Sequence, residues 1–229
     1  MSKPLLCAVL LCAAAAGSGA AELTAMETRW VQAGWPVVRY AREQQLPLDI
    51  VVQPQPAPGH APLAMGFVDG RCKLVYSMRG NPEAEAVLDG VAPALAPVLI
   101  EAMTAHELGH CWRYVQGAWH VVPSGFVDAP PPDNDAELQR RVNDMQAARR
   151  EEGFADLVGL AWTWRAHPGH YAAVQAWLER VRADDTPAGS HHDTGAWLRR
   201  ARDAAAFSEA ITPFEQVHGL WRQGLASGE

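Results

Sequence analysis

A chain of 229 residues, 48% apolar and 20% charged, is long enough to bury one ordinary hydrophobic core, or two small ones at most. Its formal net charge of −7 argues against nucleic acid as a partner. The densest basic cluster, Arg140-Arg141 with Arg149-Arg150, is interleaved with acids in a helical pattern. Nine tryptophans read as bulky core filling rather than as a stacking surface.

The chain opens with "MSKPLLCAVLLCAAAAGSGA" (1–20), which has the layout of a cleavable signal peptide. Lys3 gives the basic start, Leu5 to Ala16 the apolar run, and Ser18 with Ala20, or Gly19 with Ala21, the small residues before a cut. The apolar run of about 12 residues is well short of the roughly 20 that span a bilayer. No lipid-attachment pattern precedes Cys7 or Cys12. These features predict a protein of residues 21–229, exported to the periplasm or secreted, with no membrane span once the leader is removed. The alanine- and arginine-rich composition suggests a bacterial source. Export leaves Cys72 and Cys111, which in an oxidising compartment either pair or stay as two separate buried thiols.

Residues 23–45 read as helix broken at Pro36, and "LDIVVQP" (48–54) as a β-branched strand ended by proline. After the loop "PQPAPGHAP" (54–62), residues 63–77 read as two short strands joined at Asp69-Gly70, a hairpin dipeptide. This predicts a small sheet, antiparallel at the hairpin. The rest is helical: a segment within 93–117 stopped by Gly117, a loop over 122–134, a helix from Asp135 to His167 closed by Pro168, and patterns at 169–183, 194–206 and 213–226. The fold class is α+β, one domain with a small N-terminal sheet, antiparallel or mixed, packed on a mainly helical body.

The chemistry concentrates in "HELGH" (106–110). On a helix, His106 and His110 lie one turn apart on one face, close enough to share a tetrahedral ion. Glu107 points to the adjoining side, where it can reach a metal-bound water without ligating the metal. Leu99, Met103, Leu108 and Tyr114 supply packing around the motif. Gly109 costs roughly 1 kcal/mol relative to alanine in a helix, which makes sense where another element must approach closely.

A third ligand is expected from "RREEGFADLVGLAW" (149–162). Glu152 and Asp156 are four apart and share a helix face, whereas Glu151 would put its partner at i+5. Glu152 completes a His₂Glu set, and Asp156 can accept the second N–H of a ligating imidazole. Arg113 and Gln116 stand where a metzincin would carry glycine and histidine. The pattern at His106, Glu107, His110, Glu152 and Asp156 resembles the gluzincin group of zinc metallopeptidases, over about 60 residues. The resemblance implies a zincin-like fold, a Zn²⁺ cofactor, and a sheet whose edge strand binds extended peptide over a two-helix metal site.

Peptide hydrolysis also needs a group to hold the developing oxyanion. "AGSHHDTGAWLRR" (188–200) offers His192 with Asp193 nearby, or His191, in a turn before a helix; Asp193 or Thr194 equally suits a helix cap. Tyr171 and Tyr114 are weaker candidates. His60, His120, His167, His170 and His218 read as surface or capping residues. Together these readings predict a zinc-dependent peptidase acting on a peptide or protein, with Glu107 as general base. The alternatives are a non-catalytic zinc- or peptide-binding protein on a peptidase scaffold, a zinc amide hydrolase of cell-wall peptide, and a metal-free helical domain.

Overall fold

A computed structural model describes residues 22–55, 57–126, 135–183, 187 and 189–226. The leader expected at 1–20 lies outside the described residues, as do residues 127–134 of the loop expected at 122–134.

Helix α1 (Ala25–Glu43) starts at a reciprocal cap: the Glu27 N–H donates to Thr24 Oγ1 at 3.2 Å and the Thr24 N–H to Glu27 Oε2 at 2.7 Å. The Glu27 carboxylate is buried and also accepts from Arg79 Nη2 at 2.7 Å, which holds its pKa below the usual carboxylate range against the opposing effect of burial. The break expected at Pro36 does not occur, and α1 runs through it. An internal proline costs about 3 kcal/mol. Trp30, Val37, Val38 and Ala41 are buried on both sides of it, and at about 1.5–3 kcal/mol per large side chain their packing outweighs that cost.

Three strands follow, β1 (Leu48–Pro54), β2 (Leu63–Val68) and β3 (Arg71–Arg79), in the spatial order β1-β3-β2. The β2–β3 hairpin turns at Asp69 (φ 50°) and Gly70 (φ 73°), the two positive angles that an Asp-Gly turn of this length requires. The sheet is mixed rather than wholly antiparallel, because β1 pairs with β3 in parallel. The proline-rich segment after β1 makes no tight turn; it carries the chain to the far side of the sheet, and β3 returns between its predecessors. β3 is therefore the central strand, with Cys72, Leu74, Tyr76 and Met78 buried on its helix-facing side. β2 is an edge.

Helix α2 (Ala96–Val115) lies between two apolar clusters and is buried on nearly every side. On one flank Trp30, Val38, Leu63, Leu74, Met78 and Ile100 join α1 and the sheet. On the other, Leu99, Leu108, Phe154, Leu157, Leu160, Trp197, Phe214 and Trp221 join α2 to α3 (Ala136–Ala166) and to the C-terminal helices. Those are α4 (Tyr171–Ala183), α5 (Gly195–Arg200), α6 (Pro213–Gln216) and α7 (His218–Ala226). α5 is shorter than the 194–206 pattern, because the Asp203 carboxylate accepts the Ala205 N–H and starts a separate 3₁₀ turn at Ala204–Ala206.

The α2–α3 crossing explains the glycine in the motif. A Cβ at Gly109 would lie 3.1 Å from the Cα of Ala155, and one at Gly159 would lie 2.9 Å from the carbonyl oxygen of Ala102. Glycine at both positions lets the two helices that carry the chemistry pack backbone against backbone.

Cys72 of β3 and Cys111 of α2 form a disulfide with a Cα–Cα separation of 5.7 Å. It ties the sheet to the residue directly after His110. Its ends are 39 residues apart, so in a chain-entropy view it stabilises the fold by about 4 kcal/mol. The double replacement Cys72→Ala/Cys111→Ala is expected to lower the unfolding free energy by about 2–5 kcal/mol in urea titrations under non-reducing conditions; an unchanged midpoint would refute it. Among the described residues, no helix is long and apolar enough to cross a membrane.

Candidate metal centre

Helix periodicity and the close α2–α3 crossing bring His106, His110 and Glu152 together. His106 Nε2 and His110 Nε2 are 3.1 Å apart, and the Glu152 carboxylate oxygens lie 3.6 Å from the first and 3.4 Å from the second. A tetrahedral ion with bonds of about 2.0–2.1 Å has ligand-to-ligand edges of about 3.3 Å. The imidazole pair falls just below that value, and the distances from His106 to Glu152 Oε2 and from His110 to Glu152 Oε1 fall just above it. The donor set, two imidazole nitrogens and a carboxylate oxygen, can hold a metal ion.

Asp156, fully buried on α3, faces the other side of His106, with Oδ1 2.8 Å from Nδ1. That contact fixes the proton on Nδ1 and leaves the Nε2 lone pair directed at the cluster. His110 has no such support: its Nδ1 is buried without a hydrogen-bond partner among the described residues. Its ring instead stands nearly perpendicular to Trp119, centroids 5.6 Å apart.

Arg182, from the last turn of α4, completes the cluster. Its Nε and Nη2 donate to the two oxygens of Asp156 at 2.9 and 2.7 Å, and Nη2 also donates to Glu152 Oε2 at 2.9 Å. The Thr194 hydroxyl donates to Asp156 Oδ2 at 2.6 Å. Asp156 is thus bonded from α2, α4 and the turn before α5 at once. Sequence reasoning missed Arg182, and nothing local marks it. Arg180, two residues earlier, merely donates to the carbonyl of Ala176 on its own helix.

Charge follows this geometry. Burial pushes the Glu152 carboxyl up, but the His110 contact, His106 and Arg182 outweigh it and hold its pKa at about 2. Asp156 is likewise raised by burial and pulled far lower by Arg182 and His106. For His106 burial acts downward, and the Asp156 hydrogen bond with the Glu152 charge leaves its pKa above the ordinary histidine value. Glu107 differs from the other two carboxylates. Burial raises its pKa with only partial compensation from the histidines, and among the described residues it makes no hydrogen bond.

Glu107 faces a cavity of about 450 Å³ that also exposes His106, His110, Glu152 and Arg182. Leu63, Ala64, Met65 and Phe67 line it, and because successive residues of β2 all contribute, it is the edge of the strand that borders the cavity. Beyond Met103 the wall is apolar, formed by Leu160, Val174, Trp177, Leu178 and Val181. All of these but Leu160 come from α4.

His192 lies at the rim, its Nε2 3.8 Å from Glu152 Oε2, with its ring 4.0 Å from that of the exposed His191. The Asp193 carboxylate is engaged elsewhere, accepting from the Gly189 N–H at 2.8 Å and pairing with Arg149 at 3.3 Å. Thr194 precedes α5 without capping it by its side chain. Tyr171 is buried and donates to the carbonyl of Ala201, and Tyr114 stacks on Phe67 behind the cavity wall. Glu151 faces away from the cluster and forms a buried pair with Arg113, Nε–Oε2 2.7 Å and Nη2–Oε1 2.9 Å. Of the histidines read as surface or capping residues, His167 ends α3 and pairs with the buried Glu101 at 3.0 Å, while His218 packs against Trp112. No protein-family model, curated protein or solved structure matches the chain.

Proposed function

We propose that this chain is an exported zinc metallopeptidase of zincin-like build, similar to the gluzincins, cleaving peptide bonds in an extended peptide or protein. One observation carries the reading: the His106, His110 and Glu152 ligand atoms converge on the same cavity wall that presents Glu107, beside the edge of β2. Metal binding alone has no use for Glu107, whereas hydrolysis needs a base there.

His106, His110 and Glu152 would hold the metal, and their nitrogen and oxygen donors at near-tetrahedral spacing suit zinc. Bound zinc supplies a Lewis acid that acidifies water and polarises a carbonyl. The chain's own residues do the rest. Glu107, whose pKa is raised by burial, takes a proton from the attacking water and delivers it to the leaving nitrogen. Asp156, held by Arg182 and Thr194, keeps His106 in one tautomer and one orientation. His192 stands at the rim, where an imidazole N–H can donate to the oxygen on which charge develops. The outer edge of β2, unpaired among the described residues, offers backbone N–H and C=O groups to an extended substrate, and the apolar wall beyond Met103 receives one of its side chains. The Cys72–Cys111 disulfide supports an oxidising, exported location.

The test is digestion of a mixed peptide library by protein as purified, after chelation, and after zinc is returned. Cleavage should vanish with the chelator and come back with about one zinc per chain. Hydrolysis indifferent to chelation would overturn the metallopeptidase reading, and zinc binding without cleavage would leave a binding protein.

A further inference from the structure

The cavity has a second end that the mechanism above does not use. Met103 and His110 are seven residues apart on α2, about 10 Å along its axis. Beyond Met103 lies the mainly aliphatic wall that also includes Trp177. Beyond His110 the wall is aromatic, made by Trp119 and Phe67.

Trp119 is held from several directions. Phe67 meets it edge-on at 5.0 Å, the planes inclined at 64°, and Phe67 is itself stacked on Tyr114 at 4.1 Å. His110 meets it at 5.6 Å, and the His120 ring lies nearly parallel to it at 5.0 Å. Its backbone sits in a turn closed by the Val121 N–H donating to the carbonyl of Ala118 at 3.1 Å. His120 occupies the third position of that turn at φ 59°, where glycine or asparagine is the usual occupant. The buried Arg113–Glu151 pair secures this strained turn: the His120 N–H donates to Glu151 Oε1 at 2.8 Å, and Arg113 Nη2 donates to the carbonyl of Val121 at 3.1 Å. Strain that the surroundings over-determine is a mark of a functional position.

We propose that Trp119, backed by Phe67, is a specificity-determining residue, forming an aromatic subsite beside His110 that selects a ring side chain, aromatic or proline, on the bound peptide. This rests on the peptidase reading and adds a second side-chain pocket to it, on the opposite side of the metal cluster from the aliphatic wall. A ring stacked or edge-on to a fixed indole gains affinity at little ordering cost, because the platform is already immobile. A ring–ring contact is worth up to about tenfold in affinity.

The experiment compares wild type, Trp119→Leu and Trp119→Phe, each zinc-loaded, on matched hexapeptides carrying Phe, Pro, Leu or Ala at each position in turn. Wild type should prefer Phe or Pro over Ala by about tenfold in kcat/KM at one position. Trp119→Leu should erase that preference while sparing the aliphatic preference at the other pocket, and Trp119→Phe should keep most of it. A Trp119→Leu variant with the ring preference intact, or with both preferences reduced alike, would overturn the proposal. Calorimetric binding of the Phe and Ala peptides to the same proteins runs in parallel. If no protein cleaves any peptide, the peptidase reading fails and the calorimetry decides the subsite: tighter Phe-peptide binding to wild type than to Trp119→Leu supports it, and equal binding refutes it.

Discussion

Glu107→Gln should leave zinc content at wild-type level and reduce peptide turnover by about 10²–10⁴-fold, the range supplied by a positioned general base. The change keeps the side chain's shape and removes only its basicity. Because Glu107 is not among the three converging ligands, metal stoichiometry should hold. Nor does it break a hydrogen bond or ion pair among the described residues, so no partner is orphaned. Removing a desolvated charge should leave Tm unchanged or slightly raised. Metal analysis, calorimetry and single-turnover hydrolysis on the same preparation read these outcomes separately. Undiminished turnover would eliminate Glu107 as the base. Lost zinc would instead mean that the carboxylate helps hold the metal.

Arg113→Ala should be the most destabilising single change away from the metal cluster, lowering unfolding free energy by about 3–5 kcal/mol. Both members of the Arg113–Glu151 pair are buried, at 4% and 2% exposure, and the guanidinium also lies over the rings of Trp221, at 4.3 Å, and Phe154, at 5.2 Å. Truncating it strands a carboxylate in an apolar core and leaves the carbonyl of Val121 without its donor. For a chain of this length the loss corresponds to a fall in Tm of roughly 10 °C. The double variant Arg113→Met/Glu151→Leu should recover most of it, since a buried ion pair roughly breaks even against apolar residues of similar size. Thermal and urea unfolding of the three proteins measures the contrast. A double variant as unstable as Arg113→Ala would show that lost packing and the two lost hydrogen bonds to the 118–121 turn, rather than the stranded charge, set the cost.

The choice between Glu151 and Glu152 shows how far local pattern reaches. The four-residue step to Asp156 was enough to assign Glu152 to the face that α3 turns toward His106. It carried no information about Glu151, whose partner Arg113 is 38 residues away on another helix. Pro36 shows the converse, since a strong local breaker was overridden by side chains packed on either side of it.

The local signals that sufficed were those whose physics is local: the 3.6-residue period that aligns His106 with His110, the Asp-Gly pair that turns the hairpin, and the glycine that admits a crossing helix. The parallel pairing of β1 with β3, the convergence of Arg182 and Thr194 on Asp156, and the clamp on the Trp119 turn were decided only by tertiary structure. Each joins residues many positions apart, whose meeting depends on how whole helices and strands pack. A side chain such as Arg182 looks the same in sequence whether it ends in solvent or against the carboxylates of Asp156 and Glu152.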